Sequence, residues 1–159
     1  MNLRPMSLLA GLMLLLTACS QSPSTNNNAG GQTGQGQTSV VPGSAQDFQQ
    51  NVGDRVFFDF DKSAIKPEGQ QTLQRQAQWL QRYPNVTVTV EGHCDERGTR
   101  EYNLALGERR ATAVRNALVA LGVSANRVKT ISYGKERPAV LGSNEAAWAQ
   151  NRRGVTVIN

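Results

Sequence analysis

Between Val86 and Glu91 apolar and polar residues alternate without a break: Val86-Thr87-Val88-Thr89-Val90-Glu91. Successive side chains on a strand point to opposite faces, so this run predicts a strand with one buried face and one polar face. A sheet of such strands is covered on one side only, and the neighbouring segments supply the cover. Val56–Phe60 reads as a strand. Pro67 suits a first helical position, the stretch from there to Tyr83 is rich in Gln, Leu and Ala, and Pro84 closes it. A longer helix runs from about Thr99 to Leu121, with Gly122 placed as its stop and Val123 behind it. Val128–Tyr133 and Val155–Ile158 read as two further strands, separated by a helical turn around Glu145–Trp148. The order β-α-β-α-β-(α)-β predicts a two-layer α/β sandwich with helices on one face of a mixed four-stranded sheet.

The N-terminus has a different composition. One positive charge, Arg4, precedes an apolar stretch ending at Leu16. At about ten to twelve residues that stretch falls short of the ~20 needed to cross a bilayer, and the layout is that of a secretory signal. It ends Leu16-Thr17-Ala18-Cys19, which resembles a bacterial lipobox, so residues 1–18 are read as a signal peptide and Cys19 as the lipidated residue. Each buried CH₂ of an acyl chain adds about 0.8 kcal/mol, so several chains together give a stable anchor. The alternative is an ordinary secreted protein with a chance cysteine at the cleavage site. Ser20, in place of Asp, resembles the outer-membrane sorting pattern of such lipoproteins. Residues 19–45 then form a tether rich in Asn, Gly, Gln and Thr, with a typical span of ~25–30 Å and a fully extended reach of ~90 Å. Residues 46–159 form one domain.

Two cysteines are present, and with Cys19 acylated Cys94 has no partner, so no disulfide framework supports the domain. Lys and Arg total 17 against 12 Asp and Glu, a net charge of +5. That mild excess suits an anionic partner such as a cell-wall polymer. The basic residues are dispersed and few aromatics accompany them, which argues against nucleic acid.

Arg110 breaks the pattern of its helix. At about 100° per residue, Leu106, Ala113, Val114, Ala117, Leu118 and Leu121 fall in an arc about 140° wide. Arg110 lies near its middle, with Asn103 and Gly107 beside it, whereas Glu108, Arg109 and Arg115 lie outside. A guanidinium there needs a partner, and a carboxylate suits its fork-shaped donors. Asp61 and Asp95 follow the first two strands. If those strands are parallel neighbours, both carboxylates and Arg110 face one crevice at the strand ends. Two readings stand: an internal salt bridge, or a site for a zwitterion whose ammonium meets carboxylate and whose carboxylate meets Arg110.

The motif Gly92-His93-Cys94-Asp95-Glu96-Arg97-Gly98-Thr99, then Glu101-Tyr102-Asn103, then Ala105-Leu106-Gly107-Glu108-Arg109-Arg110-Ala111, strongly resembles the OmpA-like peptidoglycan-binding domain. Val56-Phe57-Phe58-Asp59-Phe60-Asp61, Tyr133-Gly134-Lys135-Glu136 and Asn151-Arg152-Arg153 resemble the lipoprotein branch of that family. The resemblance covers about residues 56–159. It implies a site for the meso-diaminopimelate of the peptidoglycan stem peptide, clasped at Asp95 and Arg110. Phe60, Asp61 and Arg97 line it, with Asn103, Leu106 and Gly107 in support. It further implies an outer-membrane lipoprotein whose domain faces the periplasm and which also binds TolB of the Tol system, on an overlapping surface, during constriction. Cys94 stands where many such domains carry Thr, and a small apolar thiol can pack there.

His93, Cys94 and Asp95 together suggest a hydrolase. Neighbours on a strand point to opposite faces, however, and this is the only His in the chain. A zinc site would need ligands the sequence lacks, so a non-enzymatic binding domain without cofactor is expected. Cys19→Ser should yield a folded domain released into the soluble fraction. Its retention in salt-washed membranes would overturn the anchor.

Overall fold

The computed structural model describes residues 40–159. The signal peptide, Cys19 and the tether as far as residue 39 lie outside them. The described chain opens with a short helix, α1 (Ala45–Asp47), and a π-helical turn (Phe48–Val52). There follow β1 (Arg55–Phe57), α2 (Pro67–Arg82), β2 (Val88–His93), α3 (Arg100–Ala120), a 3₁₀ turn (Ala125–Arg127), β3 (Val128–Gly134), α4 (Glu145–Asn151) and β4 (Arg153–Ile158). The four strands form one mixed sheet in the order β1-β4-β2-β3, and α2 and α3 cover one face of it.

β2 and β3 are parallel, while β4 runs antiparallel to both β1 and β2. The expected adjacency of β1 and β2 is therefore corrected: β4 is inserted between them. Both still run the same way, so Asp61 and Asp95 emerge at the same end of the sheet. β1 is also shorter than the apolar run suggests. Phe58 N–H still bonds to Arg152 O at 2.9 Å, but Lys62 N–H then turns back to Asp59 O and Asp61 takes a left-handed conformation, φ 54°. Phe60 and Asp61 leave the sheet and are free to line a cavity.

Local chemistry sets the helix ends. Pro67 occupies the first turn of α2. The Thr99 hydroxyl caps α3 by accepting from Tyr102 N–H. At its other end Gly122, φ 96°, lets Gly122 N–H reach Val119 O and Val123 N–H reach Leu118 O, the paired bonds of a Schellman stop. The buried face of α3 comprises Asn103, Leu106, Gly107, Arg110, Ala111, Val114 and Leu118. It is turned toward Ala111 relative to the expected arc, and Leu121 is left exposed. The cause is a close approach of α3 to β2 and β3: a Cβ on Gly92 would collide with Gly107 O, and one on Gly107 with Ser132 Oγ. The core beneath joins Phe58, Leu73, Leu80, Val88, Val90, Val114 and Leu118. Phe48 packs on Trp79, ring centroids 4.9 Å apart, and so fixes the N-terminal segment to the far end of α2.

His93 ends β2 on the face away from the helices, 2% exposed, and neither ring nitrogen has a hydrogen-bond partner. Glu91 Oε2 comes to 3.4 Å of Nε2 without hydrogen-bond geometry. Burial, then the charges of Arg153 and Arg137, lower its pKa to about 4. Below pH 6.5 the unfolded chain takes up a proton that the folded chain resists until about 4. The His93 contribution to stability should therefore fall across that window by up to ~3 kcal/mol and change no further below it. Urea titrations at several pH values should show this slope, and His93→Asn should flatten it.

Candidate functional site

Three chain segments converge at one end of the sheet around a cavity of about 170 Å³. The exit of β1 brings Phe60 and Asp61. The exit of β2 brings Cys94, Asp95, Arg97 and Gly98. The first turns of α3 bring Tyr102, Asn103, Leu106 and Arg110. Asn103 ties the second group to the third, since its amide donates to Arg97 O at 2.7 Å and to Thr99 O at 2.9 Å. Cys94 packs beneath, 3% exposed, with Sγ donating to Asn103 O at 3.3 Å; burial pushes its thiol pKa up. It is an unpaired, inert thiol.

Arg110 is 1% exposed and bonds to no carboxylate. Its Nε donates to Lys62 O at 2.8 Å, Nη1 to His93 O at 2.8 Å and Nη2 to Asp59 O at 3.1 Å, and the cation lies 5.2 Å from the Phe58 ring centroid. The internal salt bridge considered from the sequence is thus absent. Three of the five guanidinium N–H groups are used by main-chain carbonyls, and the Cys94 sulfur is a further, weak acceptor beside the group. Burial lowers the Arg110 pKa, but guanidinium remains charged throughout the ordinary pH range. The result is a fixed cation at the cavity wall.

Asp95, 4% exposed, is engaged elsewhere. Arg97 grips it with Nη2 at 2.6 Å and Nε at 3.1 Å, its own main-chain N–H adds 3.2 Å, and Arg152 Nη1 lies at 3.4 Å. Burial alone would raise the Asp95 pKa, yet the hydrogen bonds and charge of Arg97, with Arg152, hold it below its ordinary 3.8. Asp61 is exposed at the rim and accepts a short hydrogen bond from the Tyr102 hydroxyl, which raises the tyrosine pKa. Phe60, 57% exposed, and Trp148 sandwich the Arg97 guanidinium, each ring centroid 4.0 Å away.

Of the residues expected at the site, Phe60, Asp61, Asp95, Arg97, Asn103, Leu106 and Arg110 line the cavity, and Gly107 does not. Its role lies one layer down, in letting α3 approach the sheet. Tyr102 was missed as a cavity residue although it sits in the same motif. Arg152, Glu145 and Trp148 were missed as supports. Arg152 donates to Phe58 O at 3.1 Å and to Glu145 Oε1 at 2.5 Å, and Trp148 Nε1 donates to Glu96 Oε1 at 3.0 Å. A charged residue just ahead of a strand and an aromatic on a short helix were the available signals. His93 lies outside the cavity that Cys94 lines, so the two do not form a nucleophile–base pair.

The cavity thus presents a buried guanidinium and a buried carboxylate, with the Cys94 thiol beneath them. The OmpA family matches residues 57–152, and the chain belongs to that family. It is 58% identical over 147 residues to the peptidoglycan-associated lipoprotein of Agrobacterium fabrum, covering 92% of this chain and 83% of that one. It is 54% identical over 155 residues to the protein of the same name from Brucella melitensis, covering 98% and 92%. The crystal structure of the peptidoglycan-associated lipoprotein from Burkholderia pseudomallei superposes with a TM-score of 0.65 at 48% identity, covering 67% of this chain and 90% of that one. These relatives bear the name of a peptidoglycan-associated lipoprotein and not of an enzyme.

Because Asp95 balances Arg97 and Arg152, it supports the fold as well as any ligand. Asp95→Asn should lower stability by about 1–3 kcal/mol in urea unfolding, with Arg152 left partly uncompensated. An unchanged midpoint would show that the two arginines do not depend on it.

Proposed function

We propose that this protein is an outer-membrane lipoprotein, anchored through Cys19, whose domain holds peptidoglycan without chemical change by binding the meso-diaminopimelate of the stem peptide. The observation that carries this is Arg110: a cation 1% exposed, fixed by three carbonyls and paired with no carboxylate, in the wall of the cavity. A planar carboxylate is the natural acceptor for two parallel donors. Asp95, at the other side of the cavity, is the acceptor for the ammonium group beside that carboxylate. Phe60, Asp61, Arg97, Leu106 and Tyr102 shape the walls. Family membership and the names of the relatives support peptidoglycan as the partner, and the choice of diaminopimelate within it rests on the cavity's charges.

The finer parts of the reading rest on resemblance to the lipoprotein branch. The domain faces the periplasm at the end of its tether. It also meets TolB on a surface overlapping the cavity, and so couples the outer membrane to the Tol system during constriction and supports envelope integrity. No helix among the described residues is long and apolar enough to cross a membrane, so attachment in this reading falls to the lipid on Cys19.

Pulldown with purified sacculi should retain the wild-type protein. Arg110→Lys keeps the charge but loses the fork, and should bind about ten- to a hundred-fold more weakly, the worth of a buried charge-assisted pair. Wild type should also prefer a stem peptide with diaminopimelate over one with lysine at the third position, which lacks the distal carboxylate. Equal binding to the two peptides would rule out Arg110 as the carboxylate receptor.

A further inference from the structure

A carboxylate offers about four acceptor positions, and all four on Asp95 are occupied. Oδ1 takes Arg97 Nε and the Arg97 main-chain N–H; Oδ2 takes Arg97 Nη2 and Arg152 Nη1. An ammonium group cannot join them unless one partner leaves. Arg152 is the worse candidate, because its side chain is 7% exposed and is held at the same time by Phe58 O and Glu145. Arg97 is the better one. Its side chain is 31% exposed, and Asp95 is the one hydrogen-bond acceptor its guanidinium has among the described residues. Its other contacts are the faces of Phe60 and Trp148, which let a planar cation slide out between them. The carboxylates of Glu145 and Glu96 also attract it, and neither lines the cavity.

We propose that the Arg97 guanidinium is the site's resident counter-ion, standing where a ligand's ammonium will bind, so that Arg97 gates Asp95 by competing with that ammonium for the carboxylate. This rests on the reading of Asp95 and Arg110 as ammonium and carboxylate receptors. A ligand bearing carboxylate alone reaches Arg110 and leaves Arg97 in place at Asp95. A zwitterion satisfies both charges at once and releases Arg97 toward the acidic rim. Occupying Asp95 in this way lowers the affinity of a ligand that needs that carboxylate by the fraction of time it is taken, and leaves a ligand that uses Arg110 alone unaffected. It also keeps Asp95 paired while the cavity is empty, where a bare buried carboxylate would be costly.

The test is Arg97→Met, which keeps an apolar stem between Phe60 and Trp148 and removes the competing charge. Binding is measured calorimetrically on the full chain in detergent, with two stem peptides. One carries meso-diaminopimelate at the third position. The other carries 2-aminopimelate there, which keeps the side-chain carboxylate and lacks the side-chain amine. A thermal melt accompanies each variant. The expected result is wild-type preference for diaminopimelate and a gain of about tenfold for that peptide in R97M, with no gain for aminopimelate. If R97M binds the diaminopimelate peptide equally or more weakly, Arg97 is a direct ligand contact and the gate is overturned. If wild type binds neither peptide, the ligand reading itself fails and the gate falls with it.

Discussion

One guanidinium holds the working end of this domain together. Arg110 leaves the middle of a helix and draws the main chain of two separate strand exits onto itself, through Asp59 O and Lys62 O on one side and His93 O on the other. Charge-assisted bonds of this kind are worth about 1.5–3 kcal/mol each, and a charge so deeply buried would otherwise be prohibitive. Acceptors drawn from the main chain hold position without neutralising the cation. A carboxylate partner would have quenched it. Arg110 therefore organises the cavity and keeps its full charge for whatever enters.

That arrangement depends on α3 lying close to the sheet, which two glycines permit. Gly92 and Gly107 face one another with no room for a Cβ on either, and Ser132 completes the contact by donating to Leu104 O at 2.7 Å. Raising the helix by one methyl group would lift Arg110 away from the carbonyls it serves. The second charge system, Asp95 with Arg97 and Arg152, is built on loops, and Arg97 is its one partly exposed member.

What could be read from the sequence was whatever obeyed a local rule. Pro67 and Gly122 mark helix ends because they act through their own backbone geometry, and periodicity alone placed Arg110 inside. The order of the sheet was illegible, because nothing in β1 or β2 reveals that β4, the last strand in the chain, will slot between them. β1 was overread because Phe58-Asp59-Phe60 keeps a strand-like composition while Asp61 turns the chain away. Arg110's partners were misjudged for a physical reason: side-chain carboxylates announce themselves in a sequence, whereas carbonyls are everywhere. Arg97 lies two residues from Asp95, close enough for the pair to have been proposed. Trp148 and Arg152 reach the site only through the tertiary path of α4.

The docking of Phe48 on Trp79 has a mechanical consequence. The described chain enters at the end of α2 remote from the cavity, and its path inward is fastened by Gln76 to Gly53 O at 2.7 Å and by Arg75 to Val52 O at 3.2 Å. Tension between the entering chain and a captive in the cavity therefore runs lengthwise along β1. Arg55–Phe57 is bonded sideways to Arg153–Val155 of β4, so such a pull loads those bonds in shear, all together, and does not peel them one at a time. In the proposed function the tether and the captive would pull on opposite ends of the same sheet, as on a link in a chain.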